Sequence, residues 1–134
     1  MSLSSVISAI QTKAGALSGI KEAPTNPPES ANVYPFAVSY AKSGTETPQS
    51  SGWAIGLHTI ICEIHIARQV LPKDIALALP FYESFRSAIL SDPTIAGTVA
   101  TVNTLRYEFG RLEYGNKQTI GYRFEIDVKL TSTY

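Results

Sequence analysis

The chain has 134 residues, which suits one domain spanning residues 1–134, large enough for a substantial core and too small for two. Eleven basic and eleven acidic residues give a net charge of zero, so no overall field draws the protein to nucleic acid or to an anionic membrane. A single cysteine, Cys62, excludes an intramolecular disulfide and a cysteine-rich zinc site, and it fits a reducing compartment.

The N-terminal stretch predicts a helix followed by an extended connection. Apolar residues between Leu3 and Leu17 recur at helical spacing, with serines and Lys13 on the other side. The stretch has no charged leader, and the chain has no apolar run near the roughly 20 residues of a membrane-spanning helix, so we expect a soluble, unprocessed protein. Three prolines between Glu22 and Ser30 exclude regular structure there.

Two strands and a loop are predicted next. Alternating residues from Val33 to Ala41 predict a strand, and Pro35 places it at a sheet edge or at the strand's start. The polar stretch from Lys42 to Gly52 is longer than a tight hairpin needs, which predicts a projecting loop. The longest apolar run, Trp53 to Arg68, predicts the central strand.

A second helix is predicted from Pro72 to Leu90. Pro72 and Asp74 are typical of a helix start, whereas Pro80 removes a backbone donor and predicts a kink or a restart. The residues that the spacing turns toward the core are Ile75, Leu79, Tyr82, Phe85, Ile89 and Leu90.

The stretch from Asp92 to Asn103 combines a helix stop, a reversal and a strand start. Asp92 and Pro93 end the helix, Gly97 permits the turn, and a β-branched run follows. We therefore expect the second helix to lie back across the strand of residues 98–112.

A long hairpin completes the chain. Residues 114–117 read as a reversal through Gly115 and Asn116, and the last strand alternates strictly between Tyr122 and Leu130. The element order α, β, β, α, β, β predicts an α+β fold: a four-stranded, mainly antiparallel sheet with two helices packed on one face.

One face of the predicted hairpin carries a row of mixed charge at two-residue spacing. The ordinary interpretation of such a row is a solvated sheet face. The alternative is a complementary subunit contact, because alternating signs on a rigid sheet can pair with a neighbour. The row comprises Arg106, Glu108, Arg123, Glu125, Asp127 and Lys129.

Candidate catalytic and metal-binding residues are few. His58 and Cys62 would be about 13 Å apart on a strand, and Glu63 and His65 would point to the opposite face, which argues against a shared metal. Cys62 fits a core position better than a nucleophile, and the chain has neither a nucleophile elbow nor a phosphate loop. We therefore expect no catalytic residue, no cofactor and no metal.

The whole pattern resembles the tail terminator (tail completion) proteins of long-tailed bacteriophages. The resemblance is carried by GIKEAPTNPPESANVYPFAVSY (residues 19–40), TIICEIHIAR (59–68) and SDPTIAGTVATVN (91–103), followed by a hairpin of alternating apolar residues. It implies a non-enzymatic virion subunit that forms a hexameric ring on the head-proximal end of the tail tube. The ring would stop tube polymerisation and provide the surface for head joining.

The same resemblance implies partners and a location. The subunit would contact copies of itself, the tail tube protein below and a neck or head-completion protein above, while DNA passes through the lumen without sequence-specific binding. It would be assembled in the host cytoplasm and reside at the head–tail junction, with no membrane contact.

Two surfaces are predicted for these contacts. The charged row would form the lateral contact or the lumen wall. The loop of residues 42–52 and the turn of residues 110–117 would meet the tube or the neck through Lys42, Glu46, Gln49, Arg111, Glu113, Asn116 and Lys117. The alternatives are another phage neck or tail ring component, a monomeric adaptor, and a small-ligand enzyme, which would need a pocket with convergent polar groups.

Overall fold

A computed structural model describes residues 1–31, 33–67 and 71–134. Its elements are α1 (Leu3–Gly15), β1 (Phe36–Pro48), β2 (Trp53–Ala67), α2 (Leu71–Leu90), β3 (Thr101–Tyr114) and β4 (Lys117–Thr133). The strands form one antiparallel sheet in the order β1-β2-β4-β3 with both helices on one face, so the predicted α+β fold is confirmed. Asn32, within the first stretch of the resemblance, and Arg68, at the predicted end of the central strand, lie outside the described residues.

The main core lies between the helices and the sheet. Ser2 caps α1 by accepting a hydrogen bond from the Ser5 amide at 3.2 Å, and every fourth residue of that helix, Val6, Ile10 and Ala14, is buried. Alternate residues of β2 and β4 meet the helices, because successive strand side chains point to opposite faces. These sheet residues are Ile60, Cys62, Ile64 and Ile66 on β2, and Ile120, Tyr122, Phe124, Ile126, Val128 and Leu130 on β4.

Helix α2 continues through Pro80, so of the two predicted alternatives the restart is excluded and the kink stays a prediction. The helix differs from its prediction in the side that it buries. Phe85 and Ile89 are buried as predicted, but three residues that were predicted to face the core are largely exposed: Ile75 (48%), Leu79 (55%) and Leu90 (46%). The buried side consists of Asp74, Ala78, Phe81, Phe85 and Ile89. Because nearly every position in the first half of α2 is apolar, helical spacing alone does not select the buried side.

The segment after α2 forms the predicted turn. Ile95, Ala96 and Gly97 have positive φ angles of 46°, 55° and 78°, and the Asp92 carboxylate accepts a hydrogen bond from the Ala96 amide at 2.8 Å. Lys13 of α1 lies 3.0 Å from Asp92, which ties the turn to the first helix.

Helix α2 packs mainly over β4 and β2, with ring centroids of Phe85 and Phe124 4.3 Å apart. It reaches β3, the strand that it was predicted to cross, through Tyr82 and Tyr107.

The prediction that residues 42–52 form a loop is wrong. Strand β1 continues to Pro48, opposite Ala54, and only residues 49–52 form the turn, with Gly52 at a φ of 91°. The outer half of β1, from Ala41 to Pro48, is exposed throughout. Because this part of the hairpin faces solvent, its sequence lacks the apolar alternation that identifies a half-buried strand.

A second, smaller core lies on the sheet face that points away from the helices, which we call the outer face. Phe36 and Val38 point to this face and are buried together with Ala31, beside Tyr34 and Tyr114. The cover is residues 22–31, which we call the proline segment: beyond a bridge from Glu22 to Phe36 it has neither helix nor strand, as predicted. The Tyr114 hydroxyl donates a hydrogen bond to the Pro28 carbonyl, and Lys117 Nζ lies 3.4 Å from the Ala31 carbonyl.

None of the described helices is long and apolar enough to cross a membrane.

Candidate assembly surface

The six residues of the predicted charged row share the outer face. Strand register places Arg106 opposite Glu125 and Glu108 opposite Arg123, so opposite charges face each other across β3 and β4. Along β4 the charged residues are half-buried and alternate with buried apolar residues that point to the helices. The predicted common face is therefore confirmed, whereas its role in assembly stays a prediction.

An ion-paired ladder crosses all four strands on this face. Lys42 Nζ of β1 donates to Glu125 Oε1 at 2.5 Å, and both terminal nitrogens of Arg106 on β3 donate to the Asp127 carboxylate. Thr59 of β2 adds a 2.6 Å hydrogen bond to Asp127 Oδ1. The hydrogen bond from Lys42 lowers the pKa of Glu125, and the hydrogen bonds from Arg106 lower that of Asp127. Both carboxylates are therefore ionised at neutral pH.

A buried polar network lies on the same face, toward the proline segment. Glu63 (8% exposed) accepts hydrogen bonds from the Tyr40 hydroxyl at 2.6 Å and from His65 Nε2 at 2.8 Å. His65 (0% exposed) has its other nitrogen 2.5 Å from the Thr119 hydroxyl, and Arg123 Nε lies 4.0 Å from Glu63. We call these residues the Glu63 network.

The pKa values of the Glu63 network follow from this geometry. Burial disfavours the Glu63 carboxylate, but the hydrogen bonds from His65 and Tyr40 outweigh it, and the pKa of Glu63 is lowered. Burial, together with the hydrogen bond to Glu63, raises the pKa of Tyr40 to about 12. The network therefore holds an ionised carboxylate beside a neutral phenol.

Sequence reasoning missed this network. The available signal was Glu63 and His65 at two-residue spacing on one face of the most apolar strand, because paired polar residues there must satisfy each other when buried. Their partners Tyr40 and Thr119 come from other strands and have no sequence signature. The order hydroxyl, imidazole, carboxylate matches that of a hydrolase triad, but Thr119 is 1% exposed and cannot reach a substrate.

Six of the seven residues predicted to contact axial partners lie toward the two ends of the sheet, and the seventh, Lys42, lies in the middle of β1. Lys42 and Glu46 belong to β1 and not to a loop, while Gln49 lies in the β1–β2 turn. Asn116 lies in the β3–β4 turn, beside Lys117 at the start of β4. Arg111 and Glu113 lie near the end of β3. Because β4 runs from the β3–β4 turn to a Thr133–Trp53 pair beside the β1–β2 turn, the two turns mark opposite ends of the sheet.

The solvent side of α2 is apolar over its first half. Ile75, Leu77 (53% exposed) and Leu79 point away from the core, and Ala76 and Pro80 in the same half of the helix are exposed too. Leu77 and Pro80 also line a groove of about 390 Å³ with Phe81 and Ile66, where Lys21 is the one charged residue among the described lining residues. The second half of this side is mainly polar, with Glu83, Arg86 and Ser87 exposed.

Cys62 and the histidines occupy the faces expected from strand alternation. Cys62 is fully buried in the main core, where burial raises its thiol pKa to about 12. His58 lies on the helix side of the sheet and pairs with Glu46 at 2.9 Å, whereas Glu63 and His65 lie on the outer face. Within residues 1–31, 33–67 and 71–134, no three His, Cys, Asp or Glu side chains are grouped to hold a metal ion.

Comparison of the sequence with models of known protein families gives no match, and comparison with curated protein sequences gives none either.

Proposed function

We propose that this protein is a structural subunit of a phage virion that acts by self-assembly: a tail-terminator-like protein that forms a ring, hexameric by its resemblance to that family. The ring would end tail-tube polymerisation and provide the head-joining surface. The observation that carries the self-assembly is the apolar solvent side of α2. A helix that is apolar on nearly all sides is normally buried, and Ile75, Leu77 and Leu79 remain uncovered in a single copy.

The charge on the outer face supports a position in which this face lies beside DNA without binding it. Among the described strand residues, the face carries five cations, Lys42, Arg106, Lys117, Arg123 and Lys129, and four anions, Glu63, Glu108, Glu125 and Asp127. Binding to a nucleic acid depends on unpaired cations that neutralise phosphates, and here the cations of the ladder are already paired. A wall with this balance would let a polyanion pass without holding it.

The positions of the two turns support contacts on both sides of a ring. The β1–β2 turn around Gln49 and the β3–β4 turn at Asn116 mark opposite ends of the sheet. With the strands tilted to the ring axis but still running from one side of the ring to the other, one turn would meet the tube protein and the other the neck or head-completion protein. The same arrangement would serve another neck or tail ring component, which is the nearest alternative.

The two remaining alternatives make different use of the surface. A monomeric adaptor would keep the α2 surface uncovered at any concentration. A small-ligand enzyme would use the groove beside Leu77, but the described lining is mainly apolar and lacks the several convergent polar groups that fix a substrate.

Native mass spectrometry and negative-stain electron microscopy of the purified protein test the proposal. We expect rings for the natural sequence, and monomers for Leu77→Glu because a charge on the exposed apolar side opposes its burial. Ser87→Glu, on the polar half of the same helix, is the matched control and should still form rings. Because both residues are exposed, both variants should retain the thermal midpoint of the natural protein.

A natural sequence that stays monomeric at the highest soluble concentration, alone and with tail tubes added, would overturn self-assembly. Rings that bind one end of isolated tail tubes would favour a terminator over another neck component.

A further inference from the structure

Both outer strands of the sheet have free edges. In β1, the Ala37 amide donates to the Glu22 carbonyl at 2.9 Å; in β3, the Val102 amide donates to the Pro93 carbonyl at 2.8 Å. Among the described residues, no other element makes a backbone hydrogen bond to the outer edge of β1 after Ala37 or of β3 after Val102. An unpaired edge of this length is a template for another strand.

The ladder pattern identifies the backbone groups that point outward. In an antiparallel pair, residues alternate between those bonded to the neighbouring strand and those pointing away from it. The N–H of Ala37 points outward, because it donates to Glu22. When the alternation is followed from Ala37 through the bulge between Ala41 and Ser43, the N–H of Glu46 also points outward. Counting back from the tight turn after Tyr114, the N–H of Arg111 points outward on β3.

The two edges are complementary in direction. Each strand of the sheet is antiparallel to its neighbour, so the direction reverses three times across the order β1-β2-β4-β3. The two outer strands, β1 and β3, therefore run in opposite directions. Copies arranged side by side in one orientation would therefore bring β3 of one against β1 of the next as an antiparallel pair.

We propose that neighbouring copies join through these edges, with β3 of one copy hydrogen-bonded to β1 of the next, so that the sheet continues around the ring. This inference rests on the proposed self-assembly and specifies its contact. Bulges between Ala41 and Ser43 and between Val102 and Thr104 interrupt each strand, so the pairing segments are residues 43–48 and 104–114. The sheet register puts Ser43 level with Thr104, and the two segments extend from that level toward opposite ends of the sheet. They therefore meet when the neighbouring copy is displaced along the strands, as in a closed sheet whose strands are tilted to the ring axis.

The helix layer adds apolar contact to the same junction. Tyr107, on the free edge strand, is 51% exposed and packs on Tyr82 of α2 at a centroid distance of 4.6 Å. On the β1 side, Leu3 and Ile7 of α1 line a shallow groove with Ala41. The contact would place the side of α2 that carries Tyr82 toward the α1 side of the next copy, while the charged outer face stays uncovered for the channel.

Proline substitutions test the backbone contact. Arg111→Pro removes an outward N–H on β3 and Glu46→Pro removes one on β1, without removing a backbone hydrogen bond inside the subunit. Arg111→Ala and Glu46→Ala are the matched controls, because they delete the same side chains and keep the N–H groups. We expect both proline variants to be monomeric by native mass spectrometry and both alanine variants to form rings.

Mixing the two proline variants tests the head-to-tail pairing. Each variant keeps one intact edge, β1 in Arg111→Pro and β3 in Glu46→Pro, so an equimolar mixture should form a 1:1 heterodimer and nothing larger. Rings from either proline variant alone would overturn the edge contact while leaving self-assembly intact. A homodimer of either variant would overturn the head-to-tail pairing in favour of a two-fold contact.

Circular dichroism first establishes that the proline variants are folded. If Arg111→Pro is not folded, Tyr107→Lys replaces it, because this change places a charge at the same β3 edge on an exposed side chain. Its control is Ser87→Lys, and equal assembly of these two variants would overturn the proposal.

Discussion

The outer face of the sheet has two halves that use the same kinds of residue in opposite ways. In the covered half, under the proline segment, Glu63 is enclosed with His65 and takes part in a hydrogen-bonded network. In the open half, Glu125 and Asp127 form ion pairs at the surface. Charge pairing is thus a condition for burial in one half and a surface feature in the other.

The largest expected difference between the halves is in folding stability. Glu63→Ala removes the acceptor of the Tyr40 hydroxyl and of His65 Nε2, and leaving buried donors unpaired should lower the free energy of unfolding by about 3 kcal/mol. Glu125→Ala removes the same side chain from the open half and should cost less than about 1 kcal/mol. Urea denaturation of both variants measures the contrast, and equal losses would contradict it.

The pH dependence of stability should also be specific to the covered half. Because the pKa of Glu63 is lowered by folding, its contribution is present above the unfolded value of about 4.3 and is lost as the pH falls through the folded value. We expect the stability difference between the natural protein and Glu63→Gln to shrink as the pH falls below about 4.3.

Urea denaturation above and below this pH measures that difference. The carboxylates of the open half titrate in both proteins and cancel in the comparison. A difference that does not change with pH would show that the Glu63 charge is not the stabilising group.

The smallest effect is expected for Arg106→Ala in the open half. Arg106 is exposed and its pairs with Asp127 and Glu125 are screened by salt, so the urea midpoint should stay within experimental error at physiological ionic strength. Asp127 would keep its hydrogen bond from Thr59. A midpoint shift comparable to that of Glu63→Ala would show that the open half is also a determinant of the fold.

The sequence predicted the elements whose periodicity reflects one buried face. The alternation of β4 and the order of the six elements led to the correct sheet, because each of these strands or helices packs apolar residues on one side. The outer half of β1 and the buried side of α2 were predicted wrongly for the opposite reason. The outer half of β1 is exposed on both faces, and the first half of α2 is apolar on nearly all sides. Neither sequence therefore has a periodicity that identifies a buried face.

The candidate site could be predicted only as far as single strands allow. The common face of Arg106, Glu108, Arg123 and Glu125 follows from two-residue spacing within a hairpin. The Glu63 network requires Tyr40 and Thr119 from other strands, together with a cover that has no periodicity. Free edges likewise depend on strand order, which local patterns do not encode.

The Gln11 side chain anchors the N-terminal third of the chain. Its side-chain nitrogen donates to the carbonyls of Pro24 and Ala37, both at 2.9 Å, and its oxygen accepts from the Ser39 hydroxyl at 2.7 Å. One amide thus fastens α1, the start of the proline segment and β1, while Tyr114 holds the same segment farther along. A protease cut between these two anchor points would leave both new chain ends tethered, so the nicked protein should remain in one piece.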